Sequence, residues 1–213
     1  MKIAVDMIMF DLDGTLADTG PDLADAVNYT RAHFKLEPLP NDLVYAHVGY
    51  GVEHLLKHSL PQQDQFSEVM RVFLGRYENH LLDKTVLYPS VRGALEYFRE
   101  KRRVVVTNKM HRLAVAIVRG LGIGNQFDAI LGGDSVSDKK PHPALLNEVL
   151  QRFQVSPRRA LMVGDGDTDV EAGKRAGVVT CGVTYGLGNK KNLAAAQPDY
   201  LIGDLTHLCD YFC

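Results

Sequence analysis

The sequence of 213 residues has few cysteines, no block of like charge and no long apolar run. Its three cysteines, Cys181, Cys209 and Cys213, are an odd number without the spacing of a zinc site. This argues against a disulfide framework and favours a reducing compartment, so we expect a cytoplasmic protein. Cys209 and Cys213 are interpreted as small apolar residues of a terminal helix rather than as a metal or redox pair.

Charge and hydropathy argue against nucleic acid and membranes as partners. The 24 basic and 26 acidic residues give a formal net charge of -2, and neither sign forms a run, so we expect no nucleic acid and no anionic membrane as partner. The opening residues 1–10 are too short and, at Asp6, too polar for a secretory segment, and no later run is long enough to span a bilayer. A small molecule is the expected partner, and the chain is expected to be a monomer or a small homo-oligomer.

Apolar runs that stop at polar or glycine-bearing loops predict a sheet. Near-continuous apolarity is typical of parallel strands that are covered on both faces. Helical periodicity separates the runs, which favours an open α/β fold with a parallel, Rossmann-like sheet. The predicted strands cover residues 8–10, 104–106, 129–131, 161–163, 178–183 and 200–202.

One stretch interrupts this alternation. Between residues 21 and 82 the strong periodicity is helical, with one apolar face from Leu23 to Phe34 and another from Phe66 to Leu81. Helices alone between the first two strands of a sheet indicate a small inserted all-helical domain, a cap. We predict a core of residues 1–16 and 88–213, a cap of residues 17–87, and linkers at 18–21 and 83–89.

Two acidic clusters follow predicted strands. Asp11 and Asp13 flank one residue in a turn that Gly14 permits, and Asp165, Asp167 and Asp169 follow a later strand. Either cluster alone is usually a polar loop. Because ligand sites in open α/β sheets gather at the carboxyl ends of strands, the two clusters are expected to converge.

Converging carboxylates are tolerated when a cation neutralises them. Mg²⁺ prefers such oxygen ligands. Zinc and copper are poor alternatives, because the sequence places no cluster of histidines or cysteines beside these acids. Thr107, Asn108 and Lys140, after two other strands, could bind an oxyanion. Taken one at a time, these residues are better explained as a helix cap and solvated lysines, but four polar motifs at four strand ends make coincidence improbable. Asp167 and Lys139 are expected to be exposed.

Together these motifs resemble the four signatures of the haloacid dehalogenase superfamily. They are the segments 11–15, 107–108, 140–141 and 164–169, and the helical insertion is similar to that superfamily's small cap. Residues 107–109, 132–135 and 182–186, with 48–51 in the insertion, resemble its phosphoglycolate phosphatase branch.

The resemblance implies a mechanism and a role for each matching residue. Asp11 would be the nucleophile that forms an aspartyl-phosphate, and Asp13 the general acid and then base. Asp11, Asp13 and Asp165 would bind Mg²⁺, while Asp169 would hold a metal-bound water or orient Lys140. The phosphate oxygens would be bound by three residues, Thr107, Asn108 and Lys140.

The implied activity is hydrolysis of a small-metabolite phosphate monoester, with 2-phosphoglycolate the first candidate. A phosphomutase of the β-phosphoglucomutase type and a pyrophosphate or nucleotide phosphatase are alternatives on the same scaffold. A dehalogenase does not need Asp13, and a binding protein or sensor would be expected to lack one of the acids or the lysine. Four cap residues are candidates for contacting a substrate carboxylate, although core packing or solvent exposure explains each at least as well: His47, Tyr50, His54 and Lys57.

Overall fold

The computed structural model describes residues 2–61 and 63–213. The strands are β1 (Met7–Phe10), β2 (Ala17–Asp18), β3 (Val86–Leu87), β4 (Arg102–Val106), β5 (Ala129–Leu131), β6 (Ala160–Gly164), β7 (Val179–Val183) and β8 (Tyr200–Ile202). The α-helices are α1 (Gly20–His33), α2 (Asn41–Tyr45), α3 (Val52–Ser59), α4 (Phe66–Tyr77), α5 (Val91–Tyr97), α6 (His111–Gly120), α7 (Ala144–Phe153), α8 (Asp167–Ala176), α9 (Lys190–Ala195) and α10 (Leu208–Tyr211).

Six strands form one parallel sheet in the order β5-β4-β1-β6-β7-β8. The predicted parallel α/β sheet is therefore confirmed. The chain runs from β1 through β4 to β5 on one side and then returns to place β6 on the other side of β1. This reversal opens a crevice at the carboxyl ends of the central strands, where α/β proteins bind ligands.

The sheet is covered on both faces, as its apolar strands require. Within fully buried β1, Ile8 and Phe10 pack into a cluster with residues of α5 and α6, whereas Met7 and Met9 pack into a second cluster with residues of α7 and α8. Successive side chains of a strand point to opposite faces, so a strand without polar residues needs helices on both sides. This three-layer packing fixes the end of β1 rigidly.

Helices α1 to α4 enclose a third hydrophobic cluster of their own, with buried residues such as Val27, Leu56 and Phe73. We refer to residues 20–77 as the helical segment. Leu113 of α6 belongs to the same cluster, so the segment packs against the sheet-bearing part of the chain. The division into core and cap at residues 17 and 87 stays a prediction.

Several predicted boundaries differ from those observed. Strand β2 shares only Asp18 with the first predicted linker, whereas β3 lies inside the second; the two strands pair antiparallel where the chain enters and leaves the helical segment. Phe34 and Leu81 lie beyond the ends of α1 and α4, respectively, although both pack against the apolar cluster of the helical segment. Among the described residues, no helix is both long and apolar enough to cross a membrane.

Candidate active site

Three adjacent strands deliver the predicted acids and their neighbours to one place. Phe10, the last residue of β1, pairs with Val105 of β4 on one side and with Val163 of β6 on the other. The loops that follow these strands therefore leave the sheet side by side. Asp11 is the first residue of one of these loops, and its backbone N–H donates to Val163 O over 2.9 Å.

The central feature of the site is a group of three buried carboxylates around one lysine. One carboxylate oxygen each from Asp11, Asp165 and Asp169 lies within 4.8 Å of the others, and the three residues are 2 to 5% exposed. Lys140 Nζ donates to Asp11 Oδ1 over 2.8 Å and to Asp169 Oδ1 over 2.6 Å. A third bond to Val106 O, at 2.7 Å, uses the last donor of this ammonium group.

The charges in this group are not balanced. Burial alone would lower the pKa of Lys140, but the carboxylates of Asp11 and Asp169 outweigh it and raise that pKa above its usual range. Burial, together with the neighbouring carboxylates, raises the pKa of Asp165 to about 8. Burial also raises the pKa of Asp169 to about 6 against the opposing effect of Lys140. One ammonium does not neutralise three carboxylates, so the site favours an additional cation or a proton.

Glycines surround Asp165 and leave room at its carboxylate. A Cβ atom at Gly14, whose φ is +85°, or at Gly186 would overlap Asp165 Oδ2. The carboxylate accepts from Thr15 Oγ1 at 3.2 Å and from the Gly188 N–H at 2.7 Å. A buried trio of carboxylates in a space that side chains cannot enter fits a hard divalent cation, which takes oxygen ligands.

Asp13 lies in the loop after β1, two residues beyond Asp11, and its carboxylate accepts hydrogen bonds from two side chains. Thr19 Oγ1 donates to Asp13 Oδ1 over 2.6 Å, and Lys109 Nζ lies 2.9 and 3.1 Å from the two carboxylate oxygens. Burial would lower the pKa of Lys109, but Asp13 and Tyr77 more than offset this and raise it. Lys109 has no role predicted from the sequence; its position directly after Thr107 and Asn108 was the available signal.

Thr107 and Asn108 follow β4 and are both buried. Asn108 Nδ2 donates to Lys140 O and to Gly49 O, both at 2.8 Å, and so joins two loops of the site to the helical segment. Both donors of this amide are therefore used. To bind a phosphate oxygen, Asn108 must either break one of these two side-chain hydrogen bonds or donate its backbone N–H instead.

The helical segment reaches this site through the loop before α3. Besides the Gly49 contact, Tyr50 OH donates to Asp167 Oδ1 over 2.7 Å. Asp167 is half-buried, so the expectation that it is exposed was wrong, whereas Lys139 is exposed as expected. The error arose because the sequence does not show that Tyr50 packs over the start of α8.

A cavity lies between the helical segment and the loop of Asp13. Thr107, Asn108 and Lys109 line one wall, and His47, Gly49, Leu55 and Phe73 are among the residues of the other. Of the predicted cap contacts, His47 lines the cavity. The rings of Tyr50 and His54 are in contact with each other, with centroids 4.7 Å apart, and Lys57 Nζ lies 5.4 Å from the centroid of the Phe66 ring.

Comparisons with known proteins agree on the family. The model of the family described as haloacid dehalogenase-like hydrolases matches residues 8–183. A phosphoglycolate phosphatase of Chromobacterium violaceum is 36% identical over 95% of this chain and 94% of its own length. One from Pasteurella multocida is 35% identical over 95% and 96%, respectively. A crystal structure described as a predicted phosphoglycolate phosphatase from Haemophilus somnus superposes with a TM-score of 0.92 at 31% identity, covering 97% of both chains.

Proposed function

Since this chain belongs to the haloacid dehalogenase-like hydrolase family, we propose that it is a phosphatase acting on a small-metabolite phosphate monoester through an aspartyl-phosphate on Asp11. The single observation that carries the proposal is the buried group of Asp11, Asp165 and Asp169 around Lys140. Such a group is costly unless it binds something of complementary charge. A phosphate ester with a divalent cation meets that requirement.

In the first step a carboxylate oxygen of Asp11 attacks phosphorus in line with the ester oxygen. The new bond joins Asp11 to phosphorus, the bond from phosphorus to the ester oxygen breaks, and Asp13 supplies a proton to the departing alcohol. Lys140 fixes one oxygen of Asp11, so the attacking group has a defined orientation. Thr107, Asn108 and Lys140 are proposed to bind the non-bridging oxygens and to stabilise their charge.

In the second step water attacks the same phosphorus. Asp13, now deprotonated, takes a proton from that water, the bond to Asp11 breaks, and inorganic phosphate leaves. Asp13 accepts hydrogen bonds from Thr19 and Lys109 in the structure, and these contacts fix the orientation of its carboxylate. For the acid step Asp13 must carry a proton that it can donate, so we expect its contact with Lys109 to loosen when substrate binds.

We propose that the metal is Mg²⁺ and that Asp11, Asp165 and the loop of Asp13 provide its protein ligands. When bound, the ion neutralises the carboxylates and polarises the phosphoryl group. Asp169 holds Lys140 at 2.6 Å and accepts from the Gly166 N–H at 3.1 Å, so its proposed role is to orient the lysine.

The helical segment is proposed to be a cap that closes the site against water. Phosphate monoesters are among the slowest biological bonds to hydrolyse unaided, with enzymatic accelerations up to about 10²¹-fold. Exclusion of water strengthens every charge interaction in such a site. The contacts of Gly49 and Tyr50 with residues beside the carboxylates hold the segment in a closed position.

We propose 2-phosphoglycolate as the substrate, because relatives that align over nearly the whole chain carry the name phosphoglycolate phosphatase. The cavity beside Asp13 is small, and Lys109 and Asn108 are among the residues that line it, which suits a short substrate. We further propose that the enzyme works in the cytoplasm, because its three cysteines are free thiols.

The proposal is tested by measuring phosphate release with Mg²⁺ from 2-phosphoglycolate, phospholactate, glucose 1-phosphate, a nucleotide and pyrophosphate. We expect 2-phosphoglycolate to give the highest kcat/KM, an excess of chelator to stop turnover reversibly, and Asp11→Asn to lower kcat by at least about 10³-fold without unfolding the chain. Highest turnover of pyrophosphate or a nucleotide would reassign the substrate. Isomerisation of glucose 1-phosphate instead of phosphate release would indicate a mutase.

A further inference from the structure

Three histidines of the helical segment form a cluster that the proposed phosphatase reaction does not use. His47 lies in the loop after α2, and His54 and His58 lie one turn apart on α3. One ring nitrogen from each lies within 4.8 Å of the others. The ring centroids are 4.0 Å apart for His54 and His58, 4.6 Å for His47 and His58, and 5.5 Å for His47 and His54.

The hydrogen bonding of His58 fixes which of its nitrogens is available. His58 Nδ1 lies 2.8 Å from His54 O, and a carbonyl oxygen only accepts, so Nδ1 carries the proton of this bond. In a neutral ring Nε2 then holds a lone pair. Histidines that bind metals commonly donate their other N–H to a carboxylate or a backbone carbonyl in this way.

The surroundings of His47 and His54 favour neutral rings over charged ones. Partial burial lowers the pKa of His47 and of His54, and the nearby charge of His58 adds to the effect. Lys139 acts in the same direction on His54. A protonated cluster that binds an anion is therefore disfavoured, although the charge of Lys139 also opposes a bound cation.

We propose that His47, His54 and His58 form a second cation site, separate from the carboxylate group, that binds a transition-metal ion such as Zn²⁺ or Co²⁺. Imidazole nitrogen suits these ions, in contrast to Mg²⁺, which prefers oxygen. Three protein ligands leave a position for water, as in many zinc sites. Bonds of about 2.0 to 2.1 Å require the three nitrogens to approach one another more closely than 4.8 Å, which rotation of the half-buried and exposed rings allows.

A metal ion at the three histidines would affect the part of the helical segment that lies next to the candidate active site. A metal bound by all three residues would tie α3 to the loop of residues 46–51. That loop contains Gly49, which accepts from Asn108, and Tyr50, which donates to Asp167. The bound ion would therefore stiffen the part of the segment that touches the loops of the candidate active site.

The test is a titration of the full-length protein with Co²⁺ under saturating Mg²⁺, followed by visible absorption spectroscopy. Saturating Mg²⁺ occupies the carboxylate group, so that the added ion reports on the histidines. We expect one equivalent of Co²⁺ to bind with the absorption of a four- or five-coordinate nitrogen site, and Zn²⁺ to displace it. His58→Gln should weaken binding by at least about 10-fold.

His207→Gln is the matched control, because His207 is an exposed histidine that lies outside the cluster. It should leave Co²⁺ binding unchanged, and so should Asp11→Asn. Circular dichroism checks that each variant is folded. The proposal is overturned by an absence of Co²⁺ binding under these conditions, by equal affinity in His58→Gln, or by binding that is lost in Asp11→Asn. In those cases the three rings are an aromatic stack without a metal function.

Discussion

Lys109 is a buried cation whose compensating negative charge comes from Asp13. Its side chain is 5% exposed and that of Asp13 is 9%, and the ammonium also lies 4.9 Å from the centroid of the Tyr77 ring. Removing one member of a buried ion pair is costly because the other is left without compensation. The lysine is therefore expected to position Asp13 as well as to stabilise the fold.

We predict that Lys109→Met lowers the free energy of unfolding by about 3 kcal/mol and lowers kcat by about 10²-fold. Urea denaturation and steady-state kinetics measure the two effects. The matched control is Lys139→Met, because Lys139 is exposed, and its stability should stay within about 0.5 kcal/mol of the parent. Equal stabilities of the two variants would show that the ion pair contributes little.

Asp165 makes stability depend on pH in the metal-free protein. Its pKa of about 8 in the folded chain contrasts with an ordinary value of 3.8. Between these values the folded chain keeps a proton that the unfolded chain has released. The linkage relation then requires the free energy of unfolding to fall as pH rises through this window.

We predict that the melting temperature of chelator-treated protein falls between about pH 5 and about pH 8, and that Asp165→Asn reduces the slope. Mg²⁺ should raise the melting temperature most at the upper end, where it competes least with the proton. Differential scanning calorimetry across this range provides the measurement. Parallel pH dependences for the parent and Asp165→Asn would contradict the assignment.

At the scale of the elements, the loop after β1 brings the acids together because glycine allows it to turn sharply beside β6. Gly14 adopts a φ of +85° and leaves no room for a side chain next to Asp165. A substitution here combines backbone strain with a steric clash.

We predict that Gly14→Ala lowers kcat by at least about 10-fold and weakens the response to Mg²⁺, since the methyl group would displace Asp165. Gly93→Ala in α5 is the control: among the described residues, and apart from its chain neighbours and the backbone of its own helix, nothing lies within 4 Å of a Cβ atom placed there. Helix propensity predicts that this control is as stable as the parent or up to about 1 kcal/mol more stable. Activity titrated with Mg²⁺ distinguishes the two variants.

The sheet could be predicted from sequence because its strands have a strong and simple signal. Every residue of segments such as 161–163 and 104–106 is apolar, and polar or glycine-bearing loops follow them. The sequence therefore indicates both that these strands are buried and where they end. The ribbon of β2 and β3 was missed because two-residue strands have no periodicity. The contacts of Lys109 and Asp167 depend on side chains from distant elements, which no local pattern encodes.

At the scale of the whole molecule, one loop of the helical segment, residues 46–51, contacts residues that neighbour the carboxylate group. The bond between Tyr50 and Asp167 joins residues 117 positions apart, and burial raises the pKa of Tyr50 to about 12, so the phenol keeps its proton. A neutral phenol that donates to a carboxylate is a suitable contact for the proposed opening and closing of this segment.

We predict that Tyr50→Phe raises KM by about 10-fold, because a hydrogen bond to a charged group contributes about 1.5 kcal/mol. Tyr29→Phe, which changes an exposed tyrosine of the same segment, should leave KM unchanged. Steady-state kinetics with 2-phosphoglycolate provides both values. An unchanged KM in Tyr50→Phe would mean that this contact does not hold the segment closed during turnover.

The central claim, that Asp11 carries the phosphoryl group, is tested most directly by trapping the intermediate during turnover. Borohydride reduces an acyl phosphate to an alcohol, so quenching a reaction with it should convert Asp11 to homoserine. We predict that mass spectrometry of the digested protein finds this change at position 11 when substrate and Mg²⁺ are present, and not without substrate or in Asp11→Asn. Rapid turnover with homoserine at another aspartate, or with unmodified Asp11 under conditions that trap an acyl phosphate standard, would contradict the account.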